Sequence, residues 1–83
     1  PGVSTPNIDA LARRGVLFAN AHCASPLCNP SRTALLTGWA PHRTGIYNNE
    51  NFWRPSLPNA ISLPEYFRRE GYYVAGAGKV FHH

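Results

Sequence analysis

Two short stretches of this chain carry residue types that can do chemistry. The first is Cys28-Asn29-Pro30-Ser31-Arg32-Thr33-Ala34-Leu35-Leu36-Thr37-Gly38, and the second is Gly78-Lys79-Val80-Phe81-His82. In the first, Pro30 can open a helix and leaves Cys28 just before its N-terminus. Free backbone N–H groups at such a helix end favour an anion. Arg32 adds a fixed positive charge close by. In the second stretch, Lys79 and His82 follow an apolar run and a glycine. Taken without its neighbours, Cys28 reads as a buried structural thiol or a disulfide partner of Cys23. Lys79 alone reads as a solvated lysine, and His82 alone as a polar residue or a zinc ligand. The case for chemistry therefore rests on the surrounding pattern.

The elements that must position these residues can be read in outline. Thr5 and Pro6 predict a helix start, with Thr5 as N-cap and Pro6 in the first helical position. Ile8, Leu11 and Ala12 share a face, and Gly15 is a natural stop. Val16 to Ala21 reads as a short strand, and residues 22 to 30 as a loop. Pro30 opens a second helix through about Thr37, stopped by Gly38. Residues 39 to 61 hold Pro, Gly and Asn without a clear period and read as a long irregular surface segment. Ser62-Leu63-Pro64-Glu65 is a capping-box pattern opening a third helix, with an apolar face at Leu63, Tyr66 and Phe67 and an end at Gly71. Tyr72 to Ala77 then reads as a buried strand.

Helices alternating with short apolar strands predict an α/β fold with parallel strands. Functional groups in such sheets gather just past the carboxyl ends of strands. Lys79, His82 and Cys28 would all stand there.

The bulk numbers bound the rest. The chain has 83 residues, enough for at most one small domain. Its formal net charge is +4, from eight Lys/Arg against four Asp/Glu. The basic residues are scattered, so the charge gives no nucleic-acid arm, and an anionic small-molecule substrate fits it as well. No apolar run is long enough to span a membrane. Two cysteines, Cys23 and Cys28, do not make a disulfide framework. A P-loop reading of Gly76-Ala77-Gly78-Lys79 fails, because Tyr73 and Val80 stand where that loop needs Gly and Ser/Thr. A zinc or redox module built from His22, Cys23, Cys28 and His82 remains a non-enzymatic alternative, with a cysteine spacing poor for a zinc finger.

The first stretch resembles the signature of the cysteine-type sulfatases, a modifiable cysteine followed by x-Pro-Ser-Arg and then Leu-Thr-Gly. Seven positions match: Cys28, Pro30, Ser31, Arg32, Leu36, Thr37 and Gly38. At ordinary residue usage that match arises by chance at a given start about once in 10⁹. The second stretch is similar to the family's Gly-Lys element with a histidine shortly after it. The wording Lys-Val-Phe-His looks like iduronate-2-sulfatase and its bacterial relatives. Tyr47, Trp53-Arg54 and Leu63-Pro64-Glu65-Tyr66-Phe67 are similar to that group too. The opening, Thr5-Pro6-Asn7-Ile8-Asp9-Ala10-Leu11-Ala12, resembles the segment after the family's first strand.

The resemblance implies an alkaline-phosphatase-like fold with a mostly parallel sheet flanked by helices. It implies that residues 1–83 are an N-terminal part of a catalytic domain, lacking the paired aspartates that come earlier and the acidic and Asn/His metal ligands that come later. The chain is expected to be inactive and poorly folded by itself. The resemblance also implies hydrolysis of sulfate esters by a formylglycine made from Cys28. Its aldehyde hydrates to a geminal diol. One oxygen attacks sulfur, and the other lets the adduct collapse and expel sulfate. Arg32 would support the diol, Lys79 would contact the sulfate, and His82 would hydrogen-bond the formylglycine. Trp53 and Arg54 are candidates to line a sugar-sulfate pocket by stacking and charge pairing.

The implied metal is Ca²⁺, touched in this stretch only through residue 28. Hard cations need several oxygen ligands, so this stretch alone should not hold it well. The implied partners are a sulfated small molecule or glycan and a formylglycine-generating enzyme, with no nucleic acid and no membrane. An extracytoplasmic location is expected. A formylglycine-dependent phosphodiester or phosphonate hydrolase is the enzymatic alternative.

Overall fold

A computed structural model describes residues 2–82. Five helices follow one another: α1 at Pro6–Arg14, α2 at Cys28–Thr37, α3 at Pro41–Thr44, α4 at Trp53–Ser56 and α5 at Leu63–Arg69. In α1, Pro6 sits in the first turn, Asp9 lies near the positive end, and Arg13 and Arg14 lie near the negative end. Thr5 does not cap with its side chain. Its hydroxyl donates to Asp9 Oδ1 at 3.0 Å instead.

The second helix begins two residues earlier than Pro30 suggested, so Cys28 is its first residue rather than a loop residue before it. Proline is tolerated in any of the first-turn positions, because their N–H groups have no intrahelical partner. Gly38 closes α2 in the left-handed region, with φ 74° and its N–H on Ala34 O. In α5 the capping box does not form. Ser62 makes no side-chain cap bond, and Glu65 turns outward to Arg54 and Arg69. Two guanidinium partners outcompete one backbone N–H for that carboxylate.

Two expectations are corrected. There is no strand among the described residues, so the predicted strands at Val16–Ala21 and Tyr72–Ala77 do not form here. A strand needs a ladder partner, and neither run meets one, which leaves the α/β sheet unbuilt. The side chains show the same lack, since Phe18 is 76% and Tyr73 95% exposed. Segment 39 to 61 is also not a mere surface excursion. It supplies the apolar core: Ile46 at 1% exposure, Trp53 at 6%, Leu57 and Ala60. Phe81 packs against that cluster from the far end of the chain. The radius of gyration is 15.9 Å. A compact chain of this length would have about 12 Å, so the flanking segments extend away from this core.

Candidate active site

Cys28 opens α2 with an exposed, free thiol. Backbone N–H groups beside it are largely committed. The N–H of Asn29 donates to Asn49 Oδ1 at 2.9 Å, Pro30 has none, and the N–H of Ser31 donates to Leu27 O at 3.2 Å. The anion-favouring helix end expected from the sequence therefore reduces to the N–H of Cys28 itself. An open depression of about 430 Å³ lies over this turn, lined by Cys23, Ser25, Cys28, Ser31, Arg32 and Leu35 among others.

Arg32 lies one turn after Cys28 on the same helix face. Its Nη1 donates to Lys79 O at 2.6 Å and to Val80 O at 3.1 Å. The two motifs are thus joined across 47 residues of chain by one guanidinium. The resemblance implied an electrostatic task for Arg32. The structure adds a mechanical one, since it fixes the backbone that carries Lys79. The Lys79 side chain is exposed and has no partner among the described residues. A second anchor holds the same segment: Phe81 stacks on Trp53 with centroids 4.5 Å apart and planes 6° from parallel. Half-buried His82 follows directly.

Trp53 and Arg54 are placed differently from the sugar-pocket expectation. Trp53 is core, covered by Phe81, and the Arg54 guanidinium lies 4.1 Å from its ring centroid. Arg54 also donates to Ala60 O at 2.9 Å and pairs with Glu65 at 3.2 Å. Both side chains are engaged inside the chain rather than lining an opening. The Arg54 hydrogen bond lowers the Glu65 carboxyl below its ordinary range; desolvation opposes it, and the Arg69 hydrogen bond and charge add to the lowering.

Asn29 was given no role from the sequence, yet it is 1% exposed and the most heavily bonded side chain near Cys28. Its Nδ2 donates to Asn48 O at 3.0 Å and Asn51 O at 2.6 Å. The signal was present as an asparagine-rich run, Asn48, Asn49 and Asn51, in a segment without regular structure. Such residues tie irregular backbone together through side-chain amides.

The resemblance gave this stretch only residue 28 as a metal contact. Among the described residues no group of three or more His, Cys, Asp or Glu stands close enough to hold an ion, and no step below runs through calcium. The zinc alternative meets the same obstacle. Cys23 is a free thiol on Ser25 O, and His22 bonds Asn20.

A family model described as Sulfatase matches residues 1–82. The chain belongs to the sulfatase family. A sulfatase of Formosa agariphila is 48% identical, over 96% of this chain and 17% of its own length. Mouse iduronate 2-sulfatase is 44% identical, over 96% of this chain and 14% of its own. Human N-acetylgalactosamine-6-sulfatase is 40% identical, over 95% and 17%. This sulfatase chain therefore spans about one-seventh to one-sixth of the length of these relatives. No solved structure matches it.

Proposed function

We propose that the full-length protein hydrolyses sulfate esters of a sulfated sugar, using a nucleophile derived from Cys28. The observation that carries this is the join between the two motifs: Cys28 and Arg32 share one face of α2, and Arg32 holds the Lys79–Val80 backbone. The sugar preference is supported by the names of the relatives, several of which act on sulfated carbohydrates. The fold proposed for the whole protein is alkaline-phosphatase-like, with residues 16–21 and 72–77 entering its sheet.

Formylglycine at position 28, formed by a generating enzyme that reads the motif, would supply a hydrated aldehyde, one oxygen of which is the nucleophile while the other allows sulfate to leave. The exposed position of Cys28 at the helix end fits that modification. Arg32 holds a permanent positive charge beside it and orients the Lys79 segment. The Lys79 ammonium, free of internal partners, is available to bind a sulfate oxygen and offset the charge that builds as the ester bond breaks. His82 lies three residues beyond, on a segment that Phe81 fixes, and would move a proton at the nucleophile's second oxygen. Trp53 and Arg54 are left out of the substrate site because packing and pairing occupy them.

The test is direct. The chain is co-expressed with a formylglycine-generating enzyme and digested with trypsin, and the peptide Gly15–Arg32 is weighed after hydrazine trapping. An aldehyde at residue 28 supports the proposal. A thiol there, beside a properly modified control peptide, overturns it. Relative turnover of an aryl sulfate and a phosphodiester by the full-length protein then fixes the ester class.

A further inference from the structure

We infer that Asn29 is a positioning residue: its buried amide locks the first turn of α2 to the 48–51 loop and so sets the direction in which residue 28 presents its reactive group. The inference deepens the reading of Cys28 as the nucleophile's precursor and rests on it.

The geometry is specific. Asn29 follows Cys28 directly and is held at three points. Its N–H is bound by Asn49 Oδ1, and its two amide protons go to the carbonyls of Asn48 and Asn51. Its Oδ1 lies 3.5 Å from the Thr33 hydroxyl one turn on. The receiving loop is itself braced, because Asn48 Oδ1 accepts from the N–H groups of Glu50 and Asn51. The N–H of the peptide after residue 28 and the side chain that follows it are therefore fixed, while the Cys28 thiol is exposed. A nucleophile on the first residue of a helix would otherwise share the fraying of that turn. Because all Asn29 donors are used internally, the side chain is not available to substrate. Its influence must pass through residue 28.

The clamp needs a donor. In Asn29→Asp the shape is kept, but a carboxylate faces two carbonyl oxygens, so two attractive contacts become repulsive. An unpaired carboxylate at this buried position also costs stability, which the urea midpoint reads separately from kcat per aldehyde.

The full-length protein is tested as wild type, Asn29→Asp and Asn49→Ala, each co-expressed with the generating enzyme. Aldehyde content at residue 28 is measured by hydrazide trapping and mass. The kcat and KM for an aryl sulfate are then expressed per aldehyde, well below each protein's urea midpoint. Misaiming by about an ångström costs on the order of 10²-fold. The Asn29→Asp protein should therefore lose tenfold or more in kcat per aldehyde, with KM changed less than about threefold. Asn49→Ala leaves the modification motif intact, removes the acceptor of the Asn29 N–H, and should lose about threefold in the same quantity.

A purely structural role would lower the urea midpoint and leave kcat per aldehyde at the wild-type value. That result in Asn29→Asp, or in Asn49→Ala if Asn29→Asp does not fold, overturns the inference. A wild-type protein with no aldehyde at residue 28 overturns the nucleophile reading and this inference with it, and shows itself before any variant is made.

Discussion

Residues 29–62 and the stretches on either side of them are built by opposite means. Every buried residue among those described lies between Asn29 and Ser62. That region has almost no regular structure beyond α2 and two single turns. It is held by asparagine amides, by Arg32 and by a four-residue apolar cluster. The flanks show the reverse. They include two of the three longest helices, α1 and α5, and the clearest apolar periodicity, yet neither helix holds a buried residue. Regular elements with apolar faces wait for a partner surface, whereas an irregular segment must satisfy its own backbone locally. In this sulfatase chain the turn that carries Cys28, the proposed active-site turn, belongs to the second kind of structure.

The sharpest way to break that contrast is at residue 28 itself. If the irregular centre exists to present this residue, Cys28→Ala should lower turnover by the full-length protein on the order of 10⁴-fold or more. Cys28→Ser should differ in kind. A serine hydroxyl can accept sulfate but has no second oxygen to expel it, so at most one alcohol per chain is released before turnover stops. Continued turnover by Cys28→Ser would remove the need for an aldehyde.

Next in size are the two cations joined at the site. Lys79→Ala should cost about 10²–10³-fold in kcat/KM, as loss of a charge-stabilising donor does. Arg32→Lys keeps a charge, but its shorter side chain does not carry the ammonium as far as the Nη1 that donates to both the Lys79 and Val80 carbonyls. It should cost about tenfold or more, through displacement of the lysine. Equal activity of Arg32→Lys and wild type would mean that the bridge between motifs does not matter.

Trp53 tests the apolar side of the same region. Truncating a buried tryptophan costs about 3–5 kcal/mol. Trp53→Ala should therefore shift the urea midpoint well below wild type, and it should also lower kcat, because Phe81 loses the ring that seats His82. A comparable loss on changing Phe18, exposed here, would show that the flanks are as firmly packed in the full-length protein as the centre.

These contrasts also say what the sequence made legible. Helix starts at Pro6 and near Pro30, the stop at Gly38 and the opening at Leu63 depend on local stereochemistry, so a short window reveals them. The candidate residues Cys28, Arg32, Lys79 and His82 were visible in two motifs, and the Arg32 bridge joins those two in space. Strands at 16–21 and 72–77 were read from apolar content, but a strand is a relation between segments and cannot form without its neighbour. The core at Ile46, Trp53, Leu57 and Ala60 was missed because its residues follow no helical or strand period. Asn29 was missed for a related reason: its partners lie about twenty residues away in a loop, and an amide's preference for carbonyls gives no periodic mark.

The smallest effect lies at the boundary between centre and flank, where Arg54 of α4 meets Glu65 of α5. Glu65 is held by two guanidinium groups, at 3.2 Å from Arg54 and 2.7 Å from Arg69, and its carboxyl titrates below the ordinary range. A carboxylate whose folded pKa is lowered stabilises the folded state above its unfolded value, and that contribution is lost as pH falls through the folded pKa. Glu65→Gln should therefore be slightly less stable than wild type at neutral pH. The gap should close as the pH drops below about 4.3, the ordinary glutamate value. Added salt should shrink it as well, because the pair is partly exposed. Urea midpoints of both proteins between neutral and acid pH read this directly. A gap that widens on acidification would mean that Glu65 stabilises the fold as the neutral acid, and the ion pairs would then not be what joins the two regions.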